Sequence, residues 1–329
     1  MDKYLITGFS GFVSSHFLQF LEQQQEPTEV LGIDLHEPTL DLNAFRHVRC
    51  RFEKLDLLDK ENMQKAIREF QPTYVLHLAA YSSVSFSWTN PILSFQNNTN
   101  IFLNLVDAVR VLGQKIRILS VGSSEEYGNV HERDIPLREE LSLKPLSPYA
   151  VARVSQEMLS QVYAKGFGVD IVITRSFNHI GPGQREIFVV ASFAKQIAEG
   201  VKNGHSKVDI VAGDLSITRD FTDVRDVVRA YDMLLKKGRT GEIYNVCSGR
   251  GMKLSEVLMM LGKASRVEVV PKIDPQLVRP QDNRVVIGSN RKIQDEVGWS
   301  PVIKLEQAVE DVARDWRGRL ERGIQGLNH

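Results

Sequence analysis

Residues Leu5-Ile6-Thr7-Gly8-Phe9-Ser10-Gly11-Phe12-Val13-Ser14-Ser15 form an apolar run that ends in closely spaced glycines and passes directly into a helical pattern. Such a stretch predicts a strand, a tight turn and a helix that opens on the turn. Gly8 permits backbone angles that a side chain opposes, Gly11 lets the backbone approach a ligand, and a helix starting near Phe12 offers free N–H groups to an anion. Those properties suit the pyrophosphate of a dinucleotide. Ser14 stands where close helix–strand packing favours Gly or Ala; its side chain is only slightly larger than that of Ala, so the expectation is a small shift that leaves the site intact.

Asp34 lies twenty positions after Ser14, at the end of a second apolar run, Val30-Leu31-Gly32-Ile33. A carboxylate there accepts from the ribose hydroxyls of a dinucleotide and repels a 2′-phosphate, so NAD(H) is expected in preference to NADP(H). Leu55-Asp56-Leu57-Leu58-Asp59 and Tyr74-Val75-Leu76-His77-Leu78-Ala79-Ala80 read as the next two sheet ends, with Asp56 placed to meet an adenine edge.

Short apolar runs at Tyr4–Thr7, Val30–Asp34, Val48–Lys54, Tyr74–Ala79, Ile116–Gly122, Val169–Arg175 and Ile243–Cys247 alternate with helical patterns at Phe12–Gln25, Lys60–Phe70, Pro91–Leu112 and Ser147–Gly166. This rhythm predicts an α/β fold with a doubly wound parallel Rossmann sheet. After Arg175 the alternation is expected to break, and a proline-rich part around Pro271 to Pro280 points to a smaller C-terminal lobe over the open edge of the sheet. The expected division is residues 1–176 and 219–250 for the dinucleotide and 177–218 and 251–329 for the substrate.

Composition narrows the partners. The 329 residues carry 41 basic and 41 acidic side chains, a balance that argues against nucleic acid or an anionic membrane surface as partner. No run approaches the roughly eighteen apolar residues of a spanning helix and no cationic leader precedes the first strand pattern, so a cytoplasmic protein is expected. Cys50 and Cys247 lack a CxxC context and read as reduced thiols; His47 with Cys50 is an isolated pair, so no metal is expected.

The chemistry concentrates in two stretches. Val121-Gly122-Ser123-Ser124-Glu125-Glu126-Tyr127-Gly128 is a strand end that delivers hydroxyls and carboxylates to the mouth of the crevice. In Ser147-Pro148-Tyr149-Ala150-Val151-Ala152-Arg153, Tyr149 and Arg153 are four apart, on one face of a helix. A phenol is a poor acid at neutral pH unless a cation beside it stabilises the phenolate, and Arg153 supplies that cation.

Taken together these residues resemble the extended short-chain dehydrogenase/reductase superfamily over nearly the whole chain. The signatures are the TGxxGFxG-type turn ending in Ser14, HLAA at His77–Ala80, Asn98, the Ser123 strand end, and YxxxK, here Tyr149 to Arg153. Phe177-Asn178-His179-Ile180-Gly181-Pro182-Gly183-Gln184, Arg219-Asp220-Phe221-Thr222-Asp223-Val224-Arg225-Asp226, Tyr244-Asn245-Val246-Cys247-Ser248-Gly249 and Ile287-Gly288-Ser289-Asn290 look similar to its nucleotide-sugar branch, the 4,6-dehydratases and 4-keto-6-deoxysugar reductases of GDP-mannose metabolism.

The resemblance implies roles residue by residue. Tyr149 donates a proton to the sugar C4 oxygen, Ser123 hydrogen-bonds it, and Arg153, standing where the family has lysine, holds the nicotinamide ribose with a wide planar fork in place of a compact ammonium. Gly8, Phe9, Ser10, Gly11, Phe12, Val13, Asp34, Asp56, Leu57, Leu78, Ala79, Ala80 and Asn98 complete the cofactor surface. Ser83, Ser124, Asn178 and the arginines Arg219 and Arg279 contact the nucleotide sugar, the arginines as a diphosphate clamp, and Asp282 reaches its ribose. In the sugar dehydratases a glutamate matching Glu125 removes the C5 proton and a Thr or Asp assists loss of water; here the neighbours are Ser123 and Ser124, which tilts the reading toward ketone reduction. A 4,6-dehydratase, a C4 epimerase and a non-catalytic binder of dinucleotide and sugar nucleotide remain open alternatives. A homodimer through the helices Pro91–Leu112 and Ser147–Gly166 is also implied.

Overall fold

The computed structural model describes residues 1–278 and 283–323. Its centre is a seven-stranded sheet of β1 (Asp2–Thr7), β2 (Thr28–Asp34), β3 (Val48–Lys54), β4 (Tyr74–His77), β5 (Arg117–Ser123), β6 (Asp170–Ser176) and β10 (Ile243–Val246), in the order β10-β6-β5-β4-β1-β2-β3. Every neighbouring pair is parallel. The chain starts in an inner strand and winds outward both ways, so the connections leaving β1 and β4 diverge at their carboxyl ends. Ligands of such sheets bind at that switch point.

Both faces of the inner strands are covered, so β1, β2, β4 and β6 bury consecutive residues, whereas the edge strand β3 alternates and exposes Arg49 and Arg51. Side chains alternate with period two: Tyr4 and Ile6 pack with Phe17 and Leu18 of α1 (Phe12–Gln23) and Val228 and Tyr231 of α8 (Val224–Lys237). Leu5 points the other way, to Met63 and Ile67 of α2 (Lys60–Phe70), Phe102 and Leu105 of α5 (Ile101–Leu112) and Tyr163 of α6 (Pro148–Phe167). The first turn of α6 is set by Pro148 just inside the helix and by Ser147, whose side chain accepts from Ala150 N.

The helix predicted over Pro91–Leu112 is interrupted. After α3 (Val84–Thr89), α4 (Pro91–Phe95) passes into α5 through a π-turn at Gln96–Asn100. Four of those five residues carry side-chain amides, which compete for backbone groups. Asn98, in the widened turn, is fully buried.

The alternation does not break at Arg175 as the sequence reading expected. Residues beyond it form β7 (Asn178–Ile180), α7 (Val189–Lys202), β8 (Lys207–Ala212) and β9 (Thr218–Asp223), then after β10 come β11 (Gly251–Lys253), α9 (Leu254–Ser265), β12 (Glu268–Ile273), β13 (Val285–Val286), α10 (Arg291–Val297) and α11 (Leu305–Glu321). The β8 sequence has the strict alternation of a half-buried strand, with Val208, Ile210 and Ala212 inside. Pro271 is tolerated because β12 pairs only with β8 in a two-stranded sheet. Helices α7, α9 and α11 enclose a separate apolar cluster that includes Phe193, Ile197, Val257, Leu261, Val309 and Trp316. Among the described residues no helix is long and apolar enough to cross a membrane.

Candidate active site

The glycine turn is pressed against the end of β4. Gly8 has φ +69°, and a Cβ there would lie 2.7 Å from Ala79 N. Phe9 is buried over Gly32, where any Cβ would meet its ring. Helix α1 begins at Phe12 with Gly11 as N-cap and no side chain capping it, which leaves its first N–H groups for an external acceptor. Phe12 and Val13 are half-buried beside that end, and Ser14 is wholly buried with its hydroxyl unbonded. The Asp34 carboxylate is oriented by two backbone donors, Ser10 N at 3.0 Å and His36 N at 3.1 Å, and keeps lone pairs for further donors. An uncapped helix end for an anion and a fixed carboxylate for a diol fit a dinucleotide.

The remaining cofactor-side residues flank this turn. Asp56 is exposed and its Oδ1 accepts from Leu58 N, while Leu57 is buried. Leu78 N donates to Thr7 O, and Leu78, Ala79 and Ala80 are half-buried. The amide of Asn98 is committed to the protein: its oxygen accepts from Tyr81 N and its nitrogen donates to Tyr81 O and Ser94 Oγ. Asn98 therefore holds the backbone just after Ala80.

Helix α6 lies along β5 and brings Tyr149 and Arg153 together. Arg153 Nε donates to Tyr149 Oη at 3.2 Å, and Nη1 donates to Val121 O at 3.0 Å and Gln156 Oε1 at 2.7 Å. The guanidinium is buried and also lies 5.3 Å from the Tyr149 ring centre. Gln156 is held by Ser120 Oγ and Val121 O, so the fork is clamped to β5 two residues before Ser123. His77 is buried beside this charge. Burial, aided by Arg153, pushes its imidazole down to about 3, so it stays neutral with Nδ1 against Thr7 Oγ1.

Ser123 closes β5 and caps the short turn Ser124–Tyr127. Its Oγ accepts from Glu125 N at 3.2 Å, and its own N–H donates to Glu126 Oε1 at 2.6 Å. The Ser123 hydroxyl proton thus remains a donor. Ser124 is half-buried and Glu125 exposed on the same turn.

The GDP-mannose 4,6 dehydratase family model matches residues 5–312. The chain belongs to that family. It is 34% identical over 319 residues to GDP-6-deoxy-D-mannose reductase of Pseudomonas aeruginosa, covering 97% of this chain and 98% of the relative. The solved structure of RMD from Pseudomonas aeruginosa complexed with NADPH is similar with a TM-score of 0.84 and 33% identity, over 97% of this chain and 100% of the other. UDP-glucose 4-epimerase from Thermotoga maritima with UDP-glucose is similar with a TM-score of 0.86 and 28% identity, over 97% and 99%. Fold and family together make an NAD(P) dinucleotide the cofactor and a nucleotide sugar the substrate class.

In this family member a second, four-stranded sheet gathers around β9, which pairs with β7, β11 and β13. Asn178, opposite Phe221 in that pairing, is exposed. Arg219 is half-buried and its Nη1 donates to Thr218 O and Asn283 O. Ser83 caps α3 by accepting from Phe86 N. Arg279 and Asp282 lie outside the described residues. Three buried residues escaped the sequence reading as parts of the site. Gln156 clamps Arg153, Glu126 holds Ser123 N, and Asp220 gathers Ser248 N and Oγ, Gly249 N and Gly288 N around one carboxylate. Asp220 and Glu126 stand inside blocks of residues already singled out, and the Ser-x-x-Glu spacing of Ser123 and Glu126 is that of a capping box; Gln156 acts through contacts that spacing does not encode.

Proposed function

We propose that this chain reduces the C4 ketone of a nucleotide 4-keto-6-deoxysugar, with GDP-4-keto-6-deoxymannose as substrate and NADH as preferred reductant. Residues 1–176 and 219–250 would hold the dinucleotide and 177–218 with 251–329 the sugar nucleotide. The bound nicotinamide supplies a hydride to C4. Tyr149 gives its phenolic proton to the C4 oxygen, Ser123 donates a hydrogen bond to the same oxygen, and Arg153 stabilises the phenolate left behind. The observation that carries this reading is the 3.2 Å bond from the buried Arg153 Nε to Tyr149 Oη, beside a serine whose hydroxyl proton is free to donate. The likeness to GDP-6-deoxy-D-mannose reductase supports the sugar.

NADH is the reductant in this reading because Asp34, oriented by Ser10 N and His36 N after β2, is a negative charge that would repel a 2′-phosphate at the ribose. A homodimer is supported by an apolar face with no cover in the monomer. Val151, Met158 and Val162 on α6 and Ile92 on α4 are exposed on neighbouring helices. Glu125 keeps the 4,6-dehydratase as a second reading. It is exposed on the turn between Ser124 and Glu126, and its resemblance to the base of the dehydratases supports that alternative.

The test is purified protein with GDP-4-keto-6-deoxymannose and NADH or NADPH, followed by loss of nicotinamide absorbance. A reductase consumes one reduced nicotinamide per product. Conversion of GDP-mannose to a 4-keto product with NAD⁺, abolished in Glu125→Gln, would establish the dehydratase instead, and product without net nicotinamide consumption an epimerase. A Met158→Glu variant sedimenting as a monomer, with the unmutated protein a dimer, checks the apolar face.

A further inference from the structure

The side chain of Glu126 is fully buried beneath the end of β5. Oε1 accepts from Ser123 N at 2.6 Å, and Gly122 leaves the room for it, since a Cβ there would lie 2.4 Å from that oxygen. Oε2 is also buried and meets no hydrogen-bond donor. The group beside it is the carboxyl of Glu157 on α6. Both oxygens of Glu157 are already taken, by Arg175 Nε and Nη2 at 2.8 Å each. Arg175 also donates to Glu139 O and lies over the Tyr127 ring, and the Tyr127 hydroxyl donates to Asn245 Oδ1. The one guanidinium facing the two carboxyl groups is therefore committed to Glu157.

Two buried acceptor oxygens attract each other only through a proton between them. We propose that Glu126 is a neutral carboxylic acid whose O–H donates to Glu157 while its carbonyl oxygen holds Ser123 N, making it a positioning residue for the serine that meets the substrate. The role given to Ser123 rests on the reductase reading; the proton on Glu126 does not. Burial first, and the charge of Glu157 second, push the Glu126 carboxyl well above the usual carboxylate range, against the opposing pull of Ser123 N–H and Arg175. Among the described residues the network also contains Glu139, raised by burial and facing Lys292 and Glu140, and Tyr127. Ionisation would place a second negative charge against Glu157, whose guanidinium partner is already paired with it.

Glu126→Gln and Glu126→Leu in the full chain test this. Glutamine supplies the same acceptor to Ser123 N and a permanent donor to Glu157; leucine supplies neither. Since the folded-state value of Glu126 lies above the unfolded one, its contribution to stability is complete in acid and declines as pH rises. The melting temperature of Glu126→Gln should therefore gain on that of the parent as pH rises above the unfolded carboxyl range, from about pH 5 upward. Infrared spectra in D₂O near neutral pH should show the band of a protonated carboxyl group in the parent and not in Glu126→Gln. Turnover should fall about tenfold or more in Glu126→Leu at unchanged KM for the dinucleotide, and recover to within about threefold in Glu126→Gln. A pH-independent melting difference together with no carboxylic acid band would overturn the proton on Glu126. A Glu126→Gln variant as slow as Glu126→Leu would overturn its positioning role. A parent protein without reductase activity would sink the reductase reading alone, since the melting and infrared measurements need no substrate.

Discussion

The crevice is bounded by two strand ends that reach similar order by different means. At the ends of β1 and β2 the geometry is held by main chain: Gly8 N and Phe9 N donate to Ile33 O, and Ser10 N to Asp34. At the end of β5 it is held by side chains, locally by Glu126 on Ser123 N and across elements by Glu157 bound to Arg175, Arg153 on Val121 O and Gln156 on Ser120. The first end depends on what small residues permit, and tolerates little else. The second depends on buried polar groups that satisfy one another, so losing one member strands the rest.

The sharpest test of the second end is Tyr149→Phe, which removes the proton donor and keeps the ring over which Arg153 lies. General acid catalysis is worth on the order of a hundred- to ten-thousand-fold, so turnover should drop by that range with dinucleotide and sugar-nucleotide affinities nearly unchanged in titrations. Full turnover in this variant would move the acid to another group, with Glu125 first in line.

Next in size is the buried ion pair. Arg175 and Glu157 are 3% and 2% exposed, so Arg175→Met leaves a carboxylate without its cation in the interior. Breaking such a pair from one side costs about 3–5 kcal/mol, and the variant should show that loss in urea unfolding. The double variant Arg175→Met with Glu157→Gln should recover part of it, because no unpaired charge is left behind. A single variant with parental stability would show that this end of the molecule is not held by its charges.

The two ends also differ in how far they could be read from the sequence. Gly8, Gly11 and Asp34 announce themselves because a positive φ, a close approach and a carboxylate at a fixed distance are local demands, satisfied within one βαβ unit. Tyr149 and Arg153 were legible for the same reason, being one helical turn apart. Gln156, Glu157 and Arg175 were not, since each acquires its role only when α6 settles along β5 and β6; Glu126 had a local signal in the Ser-x-x-Glu spacing of a capping box, while its place beside Glu157 also depends on α6. The polar turn at Gln96–Asn100 escaped as well: periodicity reads straight through a π-turn, although its amide-rich composition was a signal. In the C-terminal half the strict alternation of β8 is a strand signal in its own right, independent of the prolines that follow it.

A smaller effect is expected at Asp34. Replacing it by Ser removes the charge that opposes a 2′-phosphate and leaves a hydroxyl that still bonds one, so the ratio of NADPH to NADH efficiency should rise by about tenfold or more. Ser10 N loses its acceptor in the same change, and NADH affinity should weaken. A parent enzyme that already prefers NADPH would remove Asp34 from control of cofactor choice.

The smallest effect probes the main-chain end at its one imperfect residue. Ser14 is fully buried on α1, and its hydroxyl has no hydrogen-bond partner. An unsatisfied buried hydroxyl is a liability of about 1–3 kcal/mol, partly offset by the van der Waals contacts of the oxygen that would be lost with it. Ser14→Ala removes the polar atom and leaves little void, so thermal unfolding should rise by the equivalent of about 1 kcal/mol with dinucleotide affinity unchanged. Glycine at the same position makes the contrast useful: it also removes the hydroxyl, yet in the first turns of a helix it gives back about 1 kcal/mol relative to alanine. Alanine above serine, with glycine close to serine, is the order expected if the packing of α1 on β1 already accepts a Cβ. Glycine above alanine would mean that the helix is being held off the strand, and that the missing third glycine displaces this end of the crevice after all.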